Sequence, residues 1–125
     1  MCFTERTGKM EIDKFVHLNK LFILYKNLLT EKQSTILEYY FGEDLSLGEI
    51  SDEMSVSRQA VFDTIKRCEG ILFDYESKLG LFRKETEENQ KLEKIMSILD
   101  EISKDYNLKD DRIDVIRDIC KELSE

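Results

Sequence analysis

Seven side chains carry most of the chemical potential of this 125-residue chain: Ser57, Arg58, Gln59, Phe62, Asp63, Lys66 and Arg67. Arginine and lysine supply charge for phosphate oxygens, and arginine and glutamine carry paired groups that match base edges. At 3.6 residues per turn, Gln59, Asp63, Lys66 and Arg67 fall on the arc of a helix away from its inner face, with Arg58 and Phe62 at its flank. Ser57 is a natural N-cap, and the helix start behind it presents backbone amides and the positive dipole end to an anion. The chemistry in view is noncovalent contact with nucleic acid. For Arg58, Gln59, Lys66 and Arg67 the other reading is an ordinary solvated face. Phe62 is expected to pack against the second helix, the alternative being contact with a protein.

Bond-breaking chemistry lacks its parts. His17 is the only histidine, and neither Ser57 nor a cysteine has an evident partner base. The carboxylates lie on charged faces, and the five glycines are too scattered for a phosphate loop. Cys2, Cys68 and Cys120 form no CxxC pair, so neither a zinc nor a redox site is expected. Cys68 and Cys120 fall on apolar stripes, where cysteine acts as a small hydrophobe in a reducing compartment. No stretch approaches the length of a membrane span, and the first residues lack a signal peptide's apolar centre. A cytoplasmic non-enzyme with no cofactor, metal or membrane partner is expected.

The elements that must position the 57–67 face are all helical in pattern, and the chain contains no proline. Residues 1–9 are unpatterned and expected to be disordered. A first helix is expected from Ile12 to Leu29, with Ile12, Phe15, Val16, Phe22, Ile23 and Leu29 on one broad face. Its apolar surface continues through Leu18, Leu21, Leu24, Tyr25 and Leu28. Thr30–Gln33 and Ser46–Glu49 each have the form of a capping box. The first opens a helix carrying Ile36, Leu37, Tyr40 and Phe41 to a stop at Gly42; the second opens a short helix with Leu47 and Ile50 inward, ending near Met54. From Ser57 a long helix turns Val61, Ile65, Cys68, Leu72, Tyr75 and Leu79 inward, with its end or a bend at Gly80. Two further helices follow, one over 81–104 with Leu92, Ile95, Met96, Leu99 and Ile102 on one side. The last, after Asn107, carries Ile113, Ile116, Ile119, Cys120 and Leu123.

The segment from about 46 to 72 therefore has the pattern of a helix-turn-helix, its angle fixed by Ile50, Val56, Val61 and Ile65. The run Ser57-Arg58-Gln59-Ala60-Val61 after Ser46-Leu47-Gly48-Glu49-Ile50 resembles region 4 of bacterial sigma factors. The longer run from Met10 through Leu79 is similar to the YlxM-like family of small bacterial helix-turn-helix proteins. Leu28-Leu29-Thr30-Glu31-Lys32-Gln33, the 57–61 run and Asp74-Tyr75-Glu76 carry that resemblance. It covers over half of the chain, and the tail from 81 onward matches only in being helical and charged. The resemblance implies an all-α, winged-helix-like fold without a wing, with additional C-terminal helices. Residues 10–80 form the helix-turn-helix domain, and 81–125 are an extension packing on it or on a dimer partner. Members of that family are encoded beside the genes for the signal recognition particle GTPase and its receptor. The resemblance thus implies an accessory or regulatory role in that pathway, through the particle's GTPase, its RNA or both. The alternative is a transcriptional regulator reading duplex DNA through the helix at 58–72.

Charge argues against a strong general DNA binder. The net charge is −8, and residues 1–80 hold 10 of the 19 basic and 14 of the 27 acidic side chains. Phe62-Asp63 also stand where the sigma pattern favours basic residues, and Asp63 repels phosphate unless it accepts from a cytosine amino group. The apolar excess of the first helix and the aromatics Phe15, Phe22, Tyr39, Tyr40 and Phe41 fit either a core or a homodimer interface. A homodimer is expected.

Overall fold

A computed structural model describes residues 9–124, with side chains from Ile12 onward. The expected disordered stretch 1–9 lies outside the described residues apart from Lys9. Six α-helices follow in order: α1 (Lys9–Tyr25), α2 (Glu31–Leu37), α3 (Leu47–Met54), α4 (Arg58–Leu79), α5 (Leu81–Asp105) and α6 (Asp111–Ser124). Among the described residues there is no strand, and the fold is all-α with a helix-turn-helix made by α3 and α4. The chain divides into two compact units, one ending at Phe82 and the other beginning at Arg83. Leu81 and Phe82, the first residues of α5, therefore belong to the first unit.

Local side-chain chemistry sets the starts of three helices. Thr30 Oγ1 accepts from the Gln33 amide at 3.2 Å while Gln33 Oε1 accepts from the Thr30 amide at 3.0 Å. Ser46 and Glu49 make the same reciprocal pair, both at 3.2 Å. Each box satisfies two amides that the first helical turn leaves without partners. Ser57 Oγ accepts from the Ala60 amide at 3.0 Å and opens α4. At the other end of α4, Gly80 adopts φ 61° and ψ 29°, the left-handed conformation in which glycine carries no steric penalty.

The first helix is shorter than its apolar pattern predicts. It stops at Tyr25, and Lys26–Leu28 tighten into a 3₁₀ turn before Leu29 extends. The chain must become extended to deliver Thr30 as a cap, and Ser34 Oγ holds the turn by donating to the Lys26 carbonyl at 2.9 Å. The second helix also changes character, widening into a π-helical segment over Glu38–Gly42.

The core of the first unit is built from Leu18, Leu21, Phe22 and Tyr25 of α1 against Ile36, Leu37 and Phe41. Leu47 and Ile50 of α3 and Val61, Ile65, Cys68 and Leu72 of α4 complete it. The expected aromatic cluster belongs to this core: Phe15 lies 5.0 Å from Phe41 and 5.7 Å from Tyr40, and Phe22 lies 5.8 Å from Phe41 between ring centroids. Ile12, Val16 and Ile23, expected on the same broad face, point to solvent instead. A helix that is apolar most of the way round has two eligible stripes, and here the Leu18–Leu21–Tyr25 stripe is covered. Leu79, expected to turn inward, is likewise exposed.

One polar joint closes the end of this unit. Tyr25 Oη donates to Glu76 Oε1 at 2.7 Å and accepts from the Leu81 amide at 3.0 Å; Glu76 Oε1 also accepts from the Phe82 amide at 3.0 Å. The first amides of α5 thus find acceptors on α1 and α4. Burial, reinforced by the hydrogen bond to Glu76, pushes the Tyr25 phenol above its usual range.

In the second unit α5 buries no residue, and Cys120 is the only buried one of α6. The apolar stripes expected there exist, but Ile95, Ile102, Ile116, Ile119 and Leu123 are exposed, and Leu92, Met96, Leu99 and Ile113 are half-buried. Arg117 binds Asp100 across the unit at 2.7 Å. Asp110 receives the Arg112 guanidinium at 2.6 Å and its amide at 3.0 Å, capping α6.

Candidate nucleic-acid interface

The turn between α3 and α4 is short and sharp. Ser55 takes the left-handed conformation (φ 54°, ψ 42°), and the Val56 amide donates back to the Ser51 carbonyl at 3.2 Å. Val56 packs against the core, and Ser57 extends before α4 begins. Ile50 and Val61 are fully buried behind this turn and Ile65 nearly so, so the apolar quartet expected from sequence fixes the angle of α4.

The opposite side of α4 is open. Arg58, Gln59, Asp63, Lys66 and Arg67 are all exposed, as expected for an arc turned away from the inner face and its flank. Unlike α2 and α3, which carry Glu31 and Glu49 in their first turns, α4 has no acidic residue there. Its positive dipole end is therefore not neutralised by its own first-turn side chains. The arrangement can hold a phosphate at the Ser57 end and present Arg58 and Gln59 beside it.

Neighbouring contacts modify the face in three places. Gln59 Nε2 donates to Asp63 Oδ1 at 2.9 Å, so the amide and the carboxylate engage each other. Phe62, expected to pack against the second helix, is 39% exposed and outside the core cluster, and the Lys66 ammonium sits 5.6 Å from its ring centroid. Phe62 lies one helical step, about 100°, from the fully buried Val61, so it is turned off the inner face. Its ring therefore lies against a cation at the surface.

The third contact brings in a residue that the sequence reading missed. Glu69 Oε2 lies 3.6 Å from Lys66 Nζ and 3.5 Å from Lys14 Nζ, so a lysine of α1 joins the border of the α4 face. Three residues further along α1, His17 packs on Phe73 and Phe82 at 6.0 and 4.9 Å between ring centroids. The lone histidine is thus a packing residue on the same seam. No signal within a few residues of Lys14 announces this, because the α1–α4 crossing is a tertiary event.

The cysteines fit the expected apolar role. Cys68 and Cys120 are both buried and unpaired, and burial pushes the Cys68 thiol up to about 11. At neutral pH Cys68 is a protonated hydrophobe beneath the face rather than a nucleophile. Among the described residues no group of histidine, cysteine, aspartate and glutamate is placed to hold a metal ion. Nor is any described helix long and apolar enough to cross a membrane.

Residues 12–116 match the model of the UPF0122 family, described as "Putative helix-turn-helix protein, YlxM / p13 like". The chain belongs to the UPF0122 family. A UPF0122 protein of Limosilactobacillus reuteri is 52% identical over 86 residues, covering 69% of this chain and 76% of that protein. One from Limosilactobacillus fermentum is 46% identical over 102 residues, covering 81% and 90%. Another, from Desulforamulus reducens, is 48% identical over 87 residues, covering 70% and 74%. The match carries past Gly80 into the C-terminal helices, further than the resemblance in the 10–79 region alone implied.

Proposed function

We propose that this UPF0122 protein is a cytoplasmic accessory or regulatory protein of the signal recognition particle pathway that binds nucleic acid through the exposed face of α4. The observation that carries the reading is the open first half of α4, where Ser57, Arg58 and Gln59 sit at a helix start with no acid in its first turn and the exposed Lys66 and Arg67 follow about two turns along. The pathway itself is supported by the family likeness. The net charge of −8 fits this role better than broad duplex binding, because non-specific DNA affinity comes mainly from basic excess. A narrow phosphate contact, helped by a protein partner such as the particle's GTPase, tolerates an acidic remainder.

A second reading, a transcriptional regulator, is favoured by one feature: Arg58 and Gln59 occupy the first turn, where recognition helices reach base edges. A homodimer would serve either role. It is supported by Ile12, Val16 and Ile23, which line one exposed stripe of α1. Sedimentation of the Val16→Glu variant, expected to shift to monomer, checks this part.

The main test is fluorescence anisotropy across a salt series with the particle's RNA, its purified GTPase, and random and promoter DNA duplexes. Stable capture of RNA or GTPase with indifference to every duplex supports the pathway reading. A sequence-specific duplex complex with a steep salt slope, lost on Arg58→Ala and Lys66→Ala, replaces it with the regulator.

A further inference from the structure

We infer that Lys14 of α1 is part of the nucleic-acid-binding surface and that Glu69 acts as its internal stand-in for a phosphate. This deepens the reading above and rests on it. The two ammonium groups of Lys14 and Lys66 come from different helices, yet both lie within 3.6 Å of one carboxylate oxygen of Glu69. An oxygen anion at that point is what a nucleic-acid backbone offers in series. Glu69 is itself largely covered, its side chain 19% exposed, while the lysines remain 52% and 53% exposed. The cations are thus within reach of an incoming strand, while the carboxylate that now occupies them is largely covered.

The position suits a continuous track. On α4, residue 69 lies one turn beyond Lys66 and two turns beyond Phe62, on the border of the Arg58–Arg67 arc, so Lys14 extends the arc sideways onto α1. Each lysine that neutralises a phosphate releases a counterion, so Lys14 adds a measurable increment to the salt dependence. With Glu69 holding two lysines in the free protein, one charge of the three is uncompensated. Binding exchanges the carboxylate for phosphate, and Glu69 therefore weakens affinity by competing for the same cations. A bridge serving only to tie α1 to α4 would have the opposite signature, since its loss would lower stability and leave binding unchanged.

The experiment measures affinity against salt for the full chain and for Lys14→Ala, Glu69→Gln and Lys66→Ala, with thermal melts of each. The probes are a labelled random-sequence DNA duplex and a labelled RNA hairpin, which separate the two sources of backbone phosphate. For whichever probe binds, Lys14→Ala is expected to weaken binding and to lower the slope of log K against log salt by about 0.9, as Lys66→Ala does. Glu69→Gln is expected to tighten binding by about tenfold, the factor for removing a charge next to two bound phosphates in high dielectric. Lys14→Ala with an unchanged slope beside a reduced one for Lys66→Ala overturns the inference and leaves the α4 interface standing. Weaker binding by Glu69→Gln at unchanged melting temperature also overturns it. If the unaltered protein binds neither probe at low salt, the nucleic-acid reading fails and this inference fails with it.

Discussion

The unit ending at Phe82 and the unit beginning at Arg83 are written in the same kind of sequence and use it differently. In the first, stripes at helical spacing on α1, α2, α3 and α4 converge on one core, and Leu21, Ile50, Val61 and Cys68 lose all solvent contact. In the second, α5 carries as regular a stripe, yet Ile95, Ile98 and Ile102 stay 45%, 44% and 41% exposed. A pair of helices has too little surface to enclose a core, whereas four helices packed together can. Periodicity states which side of a helix is apolar; the number of neighbours decides whether that side is dry.

The sharpest way to break the contrast is to remove the same side-chain bulk from each unit. Leu21→Ala leaves a cavity in a closed core, and the expected cost is about 2–5 kcal/mol. Ile98→Ala removes a comparable volume from a half-wet stripe, and the expected cost is roughly 1 kcal/mol or less. Urea unfolding of both variants checks this. Equal costs would show that the Ile98 face is covered in solution.

The comparison also marks how far the sequence could be read. The caps at Thr30, Ser46 and Ser57 and the stop at Gly80 were legible, because each depends on residues within four positions along the chain. The exposed arc of Arg58, Gln59, Asp63, Lys66 and Arg67 was legible for the same reason, once Val61 and Ile65 had set the inner side. Distant contacts were not. Nothing near Lys14 signals Glu69, and nothing near Tyr25 signals Glu76. Ile12, Val16 and Ile23 look as core-like as Leu18 and Leu21 until α4 chooses a side. Phe62 misled because aromatic size suggests burial, while its angle beside Val61 sends it to the surface.

A smaller effect is expected at the polar joint that ends the first unit. Tyr25→Phe keeps the ring in the core but removes the donor to Glu76 and the acceptor for the Leu81 amide. The expected loss is about 1–3 kcal/mol near neutral pH, since a partly buried carboxylate loses a partner. The alkaline limb sharpens the test. Folding raises the Tyr25 phenol above 10.0 and the Cys68 thiol from 9.0 to about 11, so both favour the protonated form in the native state. Their stabilisation is fully present below the unfolded values and is lost as pH rises through the folded ones. Stability should therefore decline from about pH 9 upward. Tyr25→Phe removes the part above 10, and Cys68→Ala the part between 9 and about 11. A Tyr25→Phe variant with the native alkaline slope would show that folding does not raise the phenol and that the alkaline loss comes from elsewhere.

The smallest effect belongs to the second unit and has the opposite pH sign. Asp110 lies at the start of α6, where the Arg112 guanidinium and amide hold its carboxyl down at about 2 against the usual 3.8. A depressed carboxyl contributes stability that is present above its unfolded value and is lost as pH falls through the folded one. The contribution should vanish between about pH 4 and 2, and only for residues near α6. Solvent screens this exposed pair, so the global melt should barely respond to Asp110→Asn. Amide exchange resolved along 111–124 should instead show faster opening of the first turn in the variant at pH 6. Native and variant chains should converge below pH 2, where the carboxyl is protonated in both states. Faster exchange spreading into 9–82 would mean that the cap of α6 stabilises more than its own helix, and the two units would have to be treated as one cooperative fold.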